Sequence, residues 1–246
     1  MVRKRQNAAS LSPSGPLASG LRLAENREPV PRSIAARLHQ MIADGELGPG
    51  SQLPSQRDLS ERFGVSRASL REALSVLEAL GLIQVRPGRG VFVSGDGERR
   101  TEWPFPNFGS ERDAYEARLA LEGQAAALAA VRADDAGLAR LAQTVEDLAR
   151  AQERGDIVAM SAADAAFHDT LLDLCGNRLM ASMYRSVREV MVASQSLPMA
   201  SRANLEETVR EHQAILAALR ARNATAAAAQ MTAHIRAAAG RIAIAI

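Results

Sequence analysis

The chain reads as mainly α: an N-terminal winged helix-turn-helix followed by a C-terminal all-α helical bundle. Three observations carry this reading. Two short, capped helical segments flank the tight turn Gly64-Val65-Ser66, and two β-branched runs around a Pro-Gly turn follow them. Behind residue 110 alanine dominates, and aromatic residues are only 3% of the chain, which favours helix over sheet. No alternating polar and apolar run in that back half is long enough for a strand.

Residues 1–28, with their scattered Ser, Pro and Gly, read as a disordered N-terminal arm that lacks the apolar run of a signal peptide. Residues 29–94 read as a first domain. Ile34, Leu38 and Ile42 recur at helical spacing and predict a helix over 30–43, and the Gly/Pro-rich stretch 45–55 forces a loop. Ser55 caps a short helix over 56–63 with Asp58 in its first turn, and Gly64 stops it. Ser66 caps a third helix that runs to about Leu80 and ends at Gly81. Residues 82–85 and 91–93, joined by Arg-Pro-Gly-Arg-Gly, complete a hairpin.

This front part is basic and the remainder slightly acidic, within a net charge of +2, so a polyanion is expected at the front only. Arg67 and Arg71 project from the start of the third helix, where a helix entering the major groove presents side chains to base edges. Arginine grips guanine O6 and N7 with two hydrogen bonds, which lysine does not match. Ser55, Arg57 and Ser66 suit phosphates or the groove rim, and Arg89 at the wing tip suits the minor groove. The plain alternative is a solvated basic face. It leaves the coincidence of capped turn, paired arginines and arginine-tipped wing without a cause.

The run L-P-S-Q-R-D-L-S-E-R-F-G-V-S-R-A-S-L-R-E-A-L, followed by R-P-G-R-G-V-F-V, closely resembles the DNA-binding domain of GntR-family bacterial transcription regulators over about residues 30–93. The resemblance implies operator contacts at Arg57, Arg67 and Arg71, and a wing glycine at Gly88. It also implies a bacterial protein acting in the cytoplasm. The single cysteine, Cys175, fits that compartment, because it excludes a disulfide framework and lies in an apolar stripe. No stretch approaches the roughly 18 apolar residues of a membrane span, so no membrane is expected among the partners.

Residues 95–110 read as a linker, which Trp103, Phe105 and Phe108 are expected to pin to one domain. Residues 111–246 then read as a metal- and effector-binding bundle. Ser110 caps a helix through Arg132, and further helices are expected at roughly 135–154, 156–175, 177–194, 202–221 and 224–244. Three of the chain's four histidines lie here, each on an inward stripe: His168 beside Phe167 and Leu171, His212 between Val209 and Leu216, His234 beside Met231 and Ile235. Asp164 shares the face of His168, one turn away. A buried carboxylate costs several kcal/mol unless it is paired or binds a cation. One Asp and three His are a natural donor set for a divalent transition metal, with Zn²⁺ the default and Ni²⁺ or Mn²⁺ as alternatives. Against this stand ordinary core histidines and a local Asp164–His168 pair, neither of which accounts for His212 and His234.

The bundle resembles the FCD ligand-binding domain of the FadR subfamily of GntR regulators over about residues 111–244, through D-x-x-x-H, E-H-x-x-I and M-x-x-H on successive helices. That resemblance implies a metal held by Asp164, His168, His212 and His234. It also implies an organic- or sugar-acid effector rather than a fatty acyl one. A hydroxy-, keto- or sugar acid can chelate through two oxygens, and Arg118 with Thr208 is positioned by helical spacing to contact it. The competing role for Arg118 is an i,i+4 surface pair with Glu122. The reading is therefore a homodimeric transcriptional repressor of a palindromic operator in double-stranded DNA, released by a small carboxylate, and not an enzyme. A metal-dependent hydrolase and a DNA-binding protein with a purely structural metal are the alternatives.

Overall fold

The computed structural model describes residues 30–95, 103–200 and 204–246. The expected arm of residues 1–28, and residues 96–102 of the expected linker, lie outside these. Helix α1 (Val30–Ala43) buries Ile34, Ala35, Leu38 and His39. Helix α2 (Gln56–Phe63) starts where the Ser55 hydroxyl accepts from the Asp58 amide at 3.2 Å. It stops at Gly64, whose φ of 64° lets its amide turn back to the last carbonyls at little steric cost. Helix α3 (Arg67–Ala79) begins on Ser66, which accepts from the Ser69 amide at 3.1 Å. Leu70, Ala73, Leu74 and Leu77 turn inward, which leaves the arginines outward.

Strands β1 (Ile83–Arg86) and β2 (Gly90–Val93) pair antiparallel, with Ile83 opposite Val93 and Arg86 opposite Gly90. Gln52 ties the loop before α2 to this wing by a bridge to Phe92 and by donating from Nε2 to the Arg89 carbonyl at 2.8 Å. Gly90 has a φ of 115°, which other residues rarely adopt, and a β-carbon there would also displace that Nε2, so the wing needs glycine there as well as at Gly88. The sequence reading singled out only Gly88, because the contact at Gly90 comes from Gln52, far away along the chain.

The back of the chain is helical throughout the described residues. Helix α4 (Glu111–Arg132) opens with a capping box in which Ser110 and Asp113 each accept from the other's amide. It packs along α10 (Ala224–Arg241), while α5 (Asp135–Glu153) packs against α6 (Ile157–Leu174) and α9 (Leu205–Arg220). The single helix expected over 177–194 is two: α7 (Arg178–Ser186) and α8 (Arg188–Ser196), broken at Val187, whose φ is −121°. A 3-10 turn, Leu197–Ala200, extends α8. The break has a packing cause. Helix α7 buries only Ala181 and Tyr184, whereas α8 buries four consecutive residues, Ala193–Ser196, and so runs into the bundle rather than along it.

The aromatic linker also departs from expectation. Trp103, Phe105 and Phe108 stack edge to face, with the Trp103 indole donating to the Gly109 carbonyl at 2.8 Å. Instead of sitting on one domain, Trp103 and Phe105 line a crevice of about 850 Å³ whose other walls are α3, β1 and α8. One apolar cluster runs through both parts of the molecule, joining Leu38, Leu70 and Leu77 to Leu148, Ile157, Met160, Met199 and Val209.

Candidate metal centre and DNA-reading face

Helical spacing places Asp164 and His168 one turn apart on α6, and α9 and α10 contribute His212 and His234 opposite them. All four side chains are buried, and one donor atom from each falls within 4.8 Å of the other three. His212 Nε2 lies 3.1 Å from Asp164 Oδ1, and His168 Nε2 lies 3.8 Å from Asp164 Oδ2. The Phe167 ring edges onto His212 at 4.6 Å between centroids and onto His168 at 5.5 Å, closing the apolar side.

What orients the imidazoles is a second ring of acceptors. His212 Nδ1 lies 2.8 Å from the Thr208 carbonyl, His234 Nδ1 lies 2.8 Å from Glu211 Oε2, and His168 Nδ1 lies 2.8 Å from Glu122 Oε2. An acceptor at Nδ1 of His212 and of His234 holds the proton there and turns Nε2 toward the centre, whereas His168 Nδ1 lies close to Glu122 without making a hydrogen bond. The Nε2 atoms of His168 and His212 make no hydrogen bond.

The charges agree. Arg118 and Glu122, both fully buried, pair at 3.0 Å. Arg241 pairs with Glu211. Those two pairs cancel, and Asp164 is left as a buried carboxylate with only imidazoles around it. Burial pushes its pKa up, but His212, His168 and His234 outweigh that and hold it at about 2, so it is ionised. Burial, reinforced by His212 and His168, keeps the pKa of His234 well below the usual range, so that ring is neutral, as ligation requires. For Glu122 burial acts upward and is overcome by Arg118 and His168, giving about 2.

A small cavity, about 10 Å³, adjoins Asp164 and His234 and is lined also by Arg118, Gln195, Thr208 and Arg241 under a roof of Pro198 and Met199. Arg118 and Thr208 both line this cavity. Arg118 does pair with Glu122, but in the core rather than on the surface, and its Nη1 is left without a partner. Sequence reasoning missed Glu122 and Glu211 as neighbours of His168 and His234, and Gln195 and Arg241 as cavity walls. Glu211 directly precedes His212, so its motif was in view; nothing local in the sequence marks Gln195.

On the head, Ser55, Arg57, Ser66, Arg67, Arg71, Gly88 and Arg89 are all solvent-exposed. Arg57 makes only long contacts with Asp58 and Glu61, at 3.7 and 4.0 Å, both in water, so its guanidinium is available to phosphate at little cost.

Comparison with known proteins bears on both parts. Residues 31–93 match the model of the bacterial regulatory proteins of the gntR family, and residues 113–237 match that of the FCD domain. The chain is similar to the HTH-type transcriptional regulator LutR of Bacillus subtilis, 29% identical with 79% of this chain and 93% of that one covered. It is also similar to an uncharacterized HTH-type transcriptional regulator of Mycobacterium tuberculosis, 32% identical with 88% and 91% covered. A solved structure of a GntR transcriptional regulator from Rhodococcus sp. RHA1 shares the fold at a TM-score of 0.52, with 22% identity over 88% of this chain and 99% of that one.

Proposed function

This chain belongs to the GntR family of bacterial regulatory proteins and carries an FCD domain, and we propose that residues 29–94 read a palindromic operator as a homodimer while residues 111–246 bind a divalent metal and a small carboxylate effector. The families and relatives it matches are transcriptional regulators, not enzymes. The effector is a hydroxy-, keto- or sugar acid, and its binding weakens the hold on DNA, so the protein acts as a repressor.

One observation carries the metal: three buried imidazoles, two of them anchored through Nδ1, converge with a buried carboxylate so that one donor atom of each lies within 4.8 Å of the others. Asp164, His168, His212 and His234 would hold the ion, with Zn²⁺ the first to test and Ni²⁺ and Mn²⁺ next. A bound divalent cation supplies Lewis acidity toward an anionic oxygen. The chain's own residues supply the rest. A dication beside Asp164 leaves an excess positive charge, and Arg118, whose Nη1 is unpartnered, lines the adjoining cavity. An acid is the ligand that such a site favours.

Coupling to the head has a physical route. About 10 Å³ admits a single water-sized group, so a larger ligand must lift Pro198 and Met199. Met199 belongs to the apolar cluster that includes Leu38 of α1 and Leu70 of α3. A shift of the roof is thereby a shift in the packing that seats the head.

The test is elemental analysis of untagged protein combined with operator binding, with and without small carboxylates. About one equivalent of metal per chain is expected, and acids are expected to weaken operator binding only in metal-loaded protein. Below about a tenth of an equivalent after reconstitution with Zn²⁺, Ni²⁺ or Mn²⁺, the metal assignment falls.

A further inference from the structure

The cavity beside the metal ligands contains two buried polar groups that the protein leaves unsatisfied. One is a donor, Arg118 Nη1; the other is an acceptor, Gln195 Oε1. Both side chains line the same small space, together with Asp164, Thr208, His234 and Arg241. Gln195 is 4% exposed, and its Oε1 is shielded from bulk solvent. A buried acceptor with no partner is costly, and its cost is recovered only when something arrives to donate to it.

The orientation of that carboxamide is held from behind. Gln195 Nε2 donates to the Tyr184 hydroxyl at 3.0 Å, and Tyr184 is itself buried. The electrostatics agree, because the guanidinium groups of Arg118 and Arg241 line the cavity, and the negative end of the amide dipole belongs toward them. Helix α8 enters the bundle after the break at Val187, and this brings Gln195 to the cavity.

We propose that Gln195 selects the effector's second functional group, so that the site takes α-hydroxy acids in preference to the corresponding α-keto acids. This rests on the metal-and-carboxylate reading above and narrows it. A hydroxy acid offers its carboxylate to Arg118 and a hydroxyl proton to Gln195 Oε1, satisfying both orphaned groups together. A keto acid carries only lone pairs where that proton would be. Its carbonyl oxygen faces the Gln195 oxygen without a hydrogen bond, and Gln195 Oε1 stays unsatisfied. A site built around a hydroxyl discriminates strongly against the analogue that lacks it, because its own polar atom is stranded.

The experiment is calorimetric titration of Zn²⁺-loaded, full-length protein with matched pairs: lactate against pyruvate, and 2-hydroxyglutarate against 2-oxoglutarate. Each titration is repeated after chelation. In the wild type, at least one hydroxy acid is expected to bind roughly tenfold to a hundredfold more tightly than its keto partner. Gln195→Met should abolish that preference by weakening the hydroxy acid while leaving the keto acid nearly unchanged. Metal content and melting temperature report whether this variant has folded. Should it fail to fold, Tyr184→Phe frees the carboxamide to rotate and is expected to shrink the preference several-fold at unchanged metal content.

Equal binding of both members of each pair, lost on chelation, would overturn the role of Gln195 while the carboxylate reading stands. So would a Gln195→Met protein in which both acids weaken alike. If no acid binds the metal-loaded wild type, the selectivity falls together with the carboxylate reading.

Discussion

The Arg118–Glu122 pair offers a prediction in which stability and metal affinity separate. Both side chains are essentially without solvent contact and meet at 3.0 Å. Replacing Arg118 with Met keeps most of the volume but strands the Glu122 charge in the core. Breaking a buried pair this way costs about 3–5 kcal/mol, against at most about 1 kcal/mol for an exposed pair. For a domain of this size that corresponds to a fall in melting temperature of roughly 6–20 °C. Removing both charges, in Arg118→Met/Glu122→Leu, leaves no stranded ion and is expected to regain most of the loss. The double variant still lacks the carboxylate that stands 2.8 Å from His168 Nδ1. Its metal affinity should therefore remain about 10–100-fold below wild type although its stability has returned. Urea denaturation of chelated protein reads the first quantity, and competition against a chromogenic chelator reads the second. The reasoning is refuted if the single variant loses less than about 1 kcal/mol, or if the double variant binds metal as tightly as wild type.

Three further outcomes are expected. Arg67→Ala and Arg71→Ala should each cost about 1–3 kcal/mol of operator binding and relax base preference, while Arg57→Ala should weaken binding evenly across sequences, as read by selection from a fragment library. Gly88→Ala meets nothing within 4 Å, so its cost is conformational alone, roughly 1–2 kcal/mol from the left-handed φ of 70°. Gly90→Ala adds a collision with Gln52 and should lower the melting temperature further; equal effects would argue against the wing geometry. Metal loading should raise thermal stability by about 4 kcal/mol at a thousandfold excess over Kd, and His212→Ala should abolish that rise in a melting titration with Zn²⁺.

The head was legible almost residue by residue because its signals are local. Ser55, Gly64, Ser66 and Gly81 start and stop helices through hydrogen bonds spanning three or four residues, and the Pro-Gly turn sets the hairpin by itself. Helix α4 was equally plain, from Ser110 to Arg132. The histidines of the bundle were legible for a related reason: a titratable group repeated at inward helical positions contradicts the stripe it sits in, and that contradiction is visible without coordinates. The region from 177 to 200 was not legible. Its turn at Val187 follows from how α8 enters the bundle, and no residue there marks a stop.

By itself, then, the sequence determined which segments become helix or hairpin, which arginines face solvent, and which four side chains point inward. Each of these depends on chain neighbours within one or two turns, where backbone geometry converts spacing directly into direction. Tertiary structure alone decided the partners. Glu122 reaches His168 from α4, Glu211 on α9 reaches His234 on α10, and Gln195 meets Arg118 across the same cavity. It also decided that the Arg118–Glu122 pair is interior and not exterior, because α4 is covered along its length by α10. Helical spacing gives a side chain its bearing, but how helices pack sets what lies at the end of that bearing and whether water is present when the charges meet.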